Sequence, residues 1–454
     1  MARSATVSST LFNSSTATGL LARLSKSNAV ISASYQGERP DRQPVHTVYG
    51  GAHLFSPDLA AKLGRVAESM LETYGGSPTQ FAKAAGLEVS DELAETIYAR
   101  VAAKLAREPV EDFRIDFEDG YGNRPDDEED GHAEAAAIAV AKAVADKTAP
   151  PFFGIRIKPL SDELAPRSLR TLDRFVTTLA GAGGGAIPEG FVVTLPKITT
   201  TDHVSVLVEA FDALEASLDL APRSLAMEFM IETTQSLVGL DGIGNLTRML
   251  DAADGRCVAA HFGTYDYTAS CNITAAHQHM THPACDFARH MMQVAYAGRG
   301  IWLSDGATNI MPVPVHSPKS QTLTAEMERE NRDQVHAAWR LHAEHIRHSL
   351  IHGYYQGWDL HPGQLPTRYA AIYSFFLEGL EAASERLSNF ISKAAQATLV
   401  GDVFDDAATG QGLLSFFLRG IGCGAFPEEA ALATGLTIEE LRGRSFVKIL
   451  ANRK

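Results

Sequence analysis

The strongest constraint on this chain is a repeated alternation. Apolar runs "PVHTVYGGAHLF" (44–55), "DFRIDFE", "FFGIRIK", "GFVVTLPK", "LAMEFMIE", "CVAAHFG", "GIWLSD" and "GWDLHP" succeed one another, each separated from the next by a helix-forming stretch. The runs are continuously apolar rather than alternating, as in strands buried on both faces. Strand–helix repetition produces a parallel sheet, and eight repeats predict a closed (β/α)8 barrel. In the first unit Ser56 and Pro57 have the chemistry of a helix cap and first helical residue, and an Ala-rich helix is expected from about Ala133. From about Pro366 the strand signal ends. The remaining segment reads as helix around a turn, "VGDVFDDAATGQG", closing on a capping box between Thr437 and Glu440. The expectation is therefore an α/β chain in three parts. Residues 1–43 are a Ser/Thr-rich tail with a short helix, 44–365 a barrel carrying the active site, and 366–454 a helical extension or lid.

Composition narrows the classes. With 454 residues, 45% hydrophobic and 21% charged, and no apolar run near the length of a bilayer span, the chain reads as a soluble globular protein without a membrane partner. A net charge of −15 argues against nucleic acid and means that an anionic substrate needs locally placed cations. Cys257, Cys271, Cys285 and Cys423 form no CxxC pair, which points to a reducing, cytoplasmic setting. Residues 1–37 contain no acidic residue and carry Arg3, Arg23 and Lys26. An organelle transit peptide has this composition, and so does a disordered polar tail, the preferred reading.

Barrel active sites lie at the C-terminal ends of the strands. There the sequence puts Glu118 and Asp119 (strand 2), Arg156 and Lys158 on one face (strand 3), Lys197 (strand 4), Glu232 (strand 5), Asp266 (strand 6), Asp305 (strand 7) and His361 (strand 8). Several carboxylates at one mouth repel one another unless a cation sits among them. Oxygen donors without a Cys/His cluster suit Mg²⁺, or Mn²⁺, whose chemistry would be to polarise a substrate carbonyl or carboxylate. Arg156 suits two-point binding of a carboxylate or stabilisation of an enolate. Each residue also has a plainer reading. Glu118, Asp119 and Asp305 could cap a helix or pair with a lysine, Thr233 or Thr234 could do the capping next to Glu232, and Lys197 could merely neutralise the acids. Asp116 reads as buried support. The histidines of "HQHMTH" (His277, His279, His282) lack zinc-ligand spacing, and "DDEED" (126–130) reads as a solvated loop before a helix N-terminus.

The motifs "DFEDGY", "GIRIK", "TLPK", "FMIETT", "FGTYDYTAS", "LSDG" and "GWDLHPGQ", in this order, resemble the citrate lyase β-subunit-like family of the HpcH/HpaI aldolase and malate synthase superfamily over roughly residues 44–410. The resemblance implies a barrel that binds Mg²⁺ and a 2-oxo acid and makes or breaks a carbon–carbon bond next to an enolate. It implies Glu232 and Asp266 as metal ligands, Glu118 and Asp119 as acids holding metal-bound water, and Arg156 on the substrate oxygen. In thioester-using members a C-terminal turn, often from a neighbouring subunit, supplies an aspartate for proton transfer. Here that selects Asp405, with Asp406 as rival, and implies a homo-oligomer. Departures are Lys158 where Asn is common, read as a cation for an added carboxylate or phosphate, a long turn after Asp266, and unmatched helices from about Gly420. These put a coenzyme A thioester substrate in question. The alternatives are phosphoryl transfer on an enolpyruvate, which Lys158 would favour, and a non-catalytic oxo-acid-binding barrel. In each, Arg156, Lys158 and Lys197 are the substrate-binding cations.

Overall fold

The computed structural model describes residues 14–39, 41–317, 322–392, 398–400, 403–405 and 407–453. Helix α1 (Ser14–Ser34) precedes the first strand, so the disordered reading of the N-terminal tract does not hold over that segment. The barrel strands are β1 (His46–Gly51), β2 (Asp112–Asp116), β3 (Phe152–Arg156), β4 (Phe191–Leu195), β5 (Ala226–Ile231), β6 (Cys257–Phe262), β7 (Trp302–Ala307) and β8 (Gln356–Asp359). They pair in parallel in sequence order and close when β1 meets β8, His46 facing Gly357. Every strand predicted from the sequence is present. Their residues are buried on both faces, but the hydrophobicity is not continuous as expected: in β2, Phe113 and Ile115 alternate with the buried charges of Asp112, Arg114 and Asp116.

Between β1 and β2 lie α2 (Leu59–Met70), α3 (Pro78–Ala84) and α4 (Asp91–Arg107); α5 (Asp126–Ala145), α6 (Ala165–Ala182) and α7 (Thr201–Ser217) come after β2, β3 and β4. After β5 come the short α8 (Thr234–Leu237) and α9 (Leu246–Ala252), after β6 α10 (Thr264–Ser270) and α11 (Pro283–Tyr296), and after β7 α12 (Ala325–Ile351). Helix α6 shows why such stretches coil onto the sheet. Leu172, Phe175, Val176 and Leu179, spaced at helical intervals, form one buried stripe, and Phe175 stacks on Phe191 of β4.

Two helix starts differ from expectation. Helix α2 begins at Leu59 rather than beside Ser56, whose hydroxyl bonds Asp58. Helix α5 begins at Asp126, straight after Pro125, so the acidic run is its first turn and not a loop. Negative charge there meets the positive end of the helix dipole.

Beyond the barrel, α13 (Leu365–Ser392) is buried continuously from Leu365 to Ser374. The segment read as a turn contains an antiparallel pair, β9 (Thr398–Val400) and β10 (Val403–Asp405). Helices α14 (Ala407–Gly422), α15 (Glu428–Leu432), α16 (Ile438–Gly443) and α17 (Phe446–Asn452) complete the extension. They are fastened to α13 by the rings of Phe376, Phe416 and Phe426, and the Thr437–Glu440 capping box opens α16. Among the described residues no helix is long and apolar enough to cross a membrane.

Candidate active site

The strand ends bring together five carboxylates and two cations. Asp116 and Arg156 are register partners at the ends of β2 and β3. The guanidinium grips Asp116 through Nε on Oδ1 at 2.7 Å and Nη2 on Oδ2 at 2.5 Å. The backbone N–H groups of Glu118 and Gly120 donate to the same carboxylate at 2.9 and 2.7 Å. Asp116 is thereby fully occupied and holds Arg156 in place. The remaining terminal nitrogen of Arg156, Nη1, lies 3.0 Å from Glu118 Oε2, and the guanidinium sits over the rings of Tyr49 and Trp358. The two-pronged edge expected to meet a substrate carboxylate is therefore taken by Asp116, and Nη1 is the nitrogen turned towards the strand-end acids.

Lys197 comes after β4 with a left-handed backbone, φ +48°. Its ammonium bonds Glu118, lies 3.0 Å from Asp119 and is 3.7 Å from Asp266. Its backbone N–H donates to Glu232 Oε1 at 2.8 Å. Glu232, directly after β5, is 2% exposed. It packs so closely on Gly263 that a Cβ on that glycine would come within 2.5 Å of Glu232 Oε2. Asp266 stands in the first turn of α10, its side chain 43% exposed.

The electrostatics show a shortage of positive charge. Burial, and after it the charge of Asp266, pushes the Glu232 carboxyl up to about 8, and Lys197 and Arg156 offset this only in part. Burial likewise raises Glu118, against the pull of Arg156 and Lys197. For Asp119 burial also works upward, but the hydrogen bond with Glu118 and the charge of Lys197 outweigh it and hold the carboxyl low. Lys197 loses solvation on burial, yet Glu232, Glu118 and Asp266 together raise its ammonium above the ordinary lysine value. A mouth of oxygen donors with a deficit of cation fits a hard divalent ion such as Mg²⁺.

Beneath the mouth the barrel interior is polar. Arg114 donates to both oxygens of Glu228 at 2.7 Å and also pairs with Asp112. Thr47 reaches Asp112 at 2.7 Å, and His261 lies 3.1 Å from Glu228.

Residues 24–449 match the family described as "Domain of unknown function (DUF6986)". The chain belongs to that family. No curated protein matches it. Among solved structures, a citrate lyase from Burkholderia xenovorans LB400 is similar with a TM-score of 0.53 and 18% identity, over 87% of this chain and 97% of that one. A Haloferax volcanii malate synthase gives 0.46 at 14% identity, over 91% and 98%. CitE from Mycobacterium tuberculosis, in complex with magnesium, acetoacetate and coenzyme A, gives 0.45 at 16% identity, over 84% and 99%. The first of these shows that the DUF6986 chain shares the citrate lyase-like barrel fold that its motifs resemble.

Other sequence candidates in this DUF6986 protein find partners within the fold. Lys158 is 5% exposed. Its ammonium pairs with Glu129 of α5 at 2.8 Å, donates to the Phe117 carbonyl at 2.5 Å and lies over the Tyr121 ring. The cation expected to read a substrate anion thus has an internal counter-ion, and the acidic run supplies it. Asp130 of the same run pairs with Arg167 and Arg170. Asp305 is buried against Arg289 of α11 at 2.9 Å and accepts from Ser349 at 2.5 Å, a structural pair. His361 caps the turn at Pro362, accepting from the Gly363 N–H at 3.0 Å. His282 caps α11, and His279 contacts Thr281 at 3.2 Å. The backbone of Asp405 ends β10, opposite Thr398; its side chain, and all of Asp406, lie outside the described residues. The Lys158–Glu129 pair was missed in the sequence, although Pro125 ahead of five acids is a helix-start signal that would have put Glu129 on a helix.

Proposed function

We propose that this protein is a divalent-metal-dependent carbon–carbon lyase or aldolase, acting through an enolate on a 2-oxo acid or a hydroxy acid, the latter in free or thioester form. The observation that carries this reading is the cation-poor carboxylate mouth, where buried Glu232, raised to about 8, faces Asp266 beside the anchored Arg156. Glu232 and Asp266 are the residues that would hold Mg²⁺ (or Mn²⁺), with Glu118 and Asp119 orienting water around it. The ion would supply Lewis-acid polarisation of the substrate oxygens.

The remaining work falls to the chain itself. Asp116 fixes Arg156, whose Nη1 offers a hydrogen bond to the oxygen on which enolate charge develops, at no reorganisation cost during the reaction. Lys197 binds the substrate's anionic end while offsetting the charge of Glu118 and Asp119, both of which its ammonium contacts. Asp405 is assigned the proton transfer at the enolate carbon, reaching the barrel of a second copy in a homo-oligomer. The phosphoryl-transfer alternative has less support from Lys158, whose added positive charge favoured it, because that charge is paired with Glu129.

A thermal-shift screen with Mg²⁺ across small 2-oxo acids and acyl-CoAs tests the reading, because a ligand bound to the native state raises its stability. The expected result is a shift that needs metal and acid together and disappears in Glu232→Gln. Metal-dependent turnover unchanged in Glu232→Gln would defeat the reading. Mixing Glu232→Gln with Asp405→Asn subunits should restore part of the activity that neither shows alone; no recovery would count against a segment acting between subunits.

A further inference from the structure

The structure also carries a set of nitrogen and oxygen donors away from the strand-end acids, in the outer helical layer between α11 and α12. Asp286 lies in the first turn of α11, His348 in the last turn of α12, and His352 is the residue that ends α12. One ligand atom from each comes within 4.8 Å of the other two, and all three side chains are half-buried, which leaves an entry path. His290, four residues after Asp286 and exposed, has its ring 5.7 Å from that of His352. Each helix thus presents two donors spaced i, i+4, the interval at which side chains share one helix face.

The geometry points to a site for a borderline divalent transition-metal ion of the zinc type, held by Asp286, His348 and His352, with His290 or water as fourth ligand. His352 is already oriented for this. Its Nδ1 lies 2.8 Å from the His348 carbonyl oxygen, which can only accept, so Nδ1 carries the proton and Nε2 keeps its lone pair. Asp286 is oriented in the same manner, since Arg289 Nη2 donates to its Oδ1 at 2.6 Å, leaving Oδ2 as the oxygen the ion would take. His348 Nε2 now rests 2.9 Å from Asp286 Oδ1 and 3.3 Å from Arg289 Nη2; metal binding replaces those contacts. Tetrahedral zinc with bonds of about 2.0–2.1 Å brings ligand atoms to roughly 3.4 Å apart. Arg289, held by Asp305 on its other side, is the nearby cation an ion must tolerate, and its hydrogen bond to the carboxylate is the outer contact that such ligands normally have. Imidazole donors select zinc over magnesium, so this site and the carboxylate mouth differ in the metal they take.

The test is calorimetric titration of Zn²⁺ into EDTA-stripped full-length protein kept in excess Mg²⁺. One equivalent should bind to the wild type and to Glu232→Gln. In His348→Ala and His352→Ala the affinity should fall by more than the ~10- to 100-fold that losing an outer contact costs. Unchanged binding in both histidine variants, loss only in Glu232→Gln, or no zinc binding over Mg²⁺ would each overturn the proposal. Cobalt-loaded wild type gives a readout independent of any variant's folding. It should show the strong visible absorption of a four-coordinate, nitrogen-ligated ion, and a weak octahedral spectrum would refute it.

Discussion

Glu129 offers the most direct measure of how far the acidic run is built into the fold. Its carboxylate is fully buried, pairs with Lys158 at 2.8 Å and accepts from Thr171 Oγ1 at 2.6 Å. Replacing it with alanine leaves the buried Lys158 ammonium with the Phe117 carbonyl and the Tyr121 ring alone. Breaking a buried pair on one side costs about 3–5 kcal/mol. An unfolding entropy of about 2.1 cal/mol/K per residue, over a cooperative unit of this length, amounts to roughly 1 kcal/mol per degree. Glu129→Ala should therefore lower Tm by about 3–5 °C. Asp127, exposed in the same helical turn, should move it by less than about 0.5 °C when changed to alanine. Thermal unfolding monitored by circular dichroism at one scan rate compares the two. Glu129→Leu combined with Lys158→Met, which removes both charges, should recover most of the loss. Equal Tm values for Glu129→Ala and Asp127→Ala, or a double variant no better than the single, would refute the assignment.

Three other positions have expected outcomes of their own. Asp119→Asn should impair turnover of the metal-dependent reaction while Asp127→Asn leaves it unchanged, measured as kcat/KM on whichever oxo acid the thermal screen selects. Gly263→Ala should weaken the response to added Mg²⁺, because its Cβ would press within 2.6 Å of the Glu232 Cβ; a metal titration unaltered by the change would contradict that packing. His345 should make the protein acid-sensitive. Burial, and after it the charge of His342, lowers its imidazole to about 4, whereas the unfolded chain takes up the proton near 6.5. Stability is full above about pH 6.5 and falls by roughly 3 kcal/mol as the pH drops towards 4; His345→Gln should flatten the denaturation profile in that window.

The barrel was legible because its signal is local and repeated. Each strand is a short, largely apolar run followed by a helix-forming stretch, and eight such repeats in sequence give a closed parallel barrel. The acids at the strand ends were legible for the same reason, since the barrel fixes where a strand must deliver its last side chain. Partnerships between elements were not. Lys158 lies two residues beyond Arg156, just past the end of β3, yet α5 rather than the mouth claims its charge, and neither local pattern nor spacing records which helix crosses which strand. The engagement of Arg156 with Asp116 is a register effect between neighbouring strands, and the Arg114–Glu228 pair spans the barrel interior between β2 and β5. They join residues forty to more than a hundred positions apart in the chain, which only barrel closure brings together. The β9–β10 pair was read as a turn because its strands are only three residues long, too short to leave a periodicity.

Lys197 has a consequence for the order of events in the life of the protein. A cluster of acids that only an ion could neutralise would tie folding to the metal supply, as in small domains that are unfolded until loaded. Here the chain brings its own counter-charge on a tether, against Glu118, Asp119 and Asp266. With the proposed ion, the barrel would close and persist through metal scarcity, and loading would be a reversible step on a finished scaffold rather than a condition for building it.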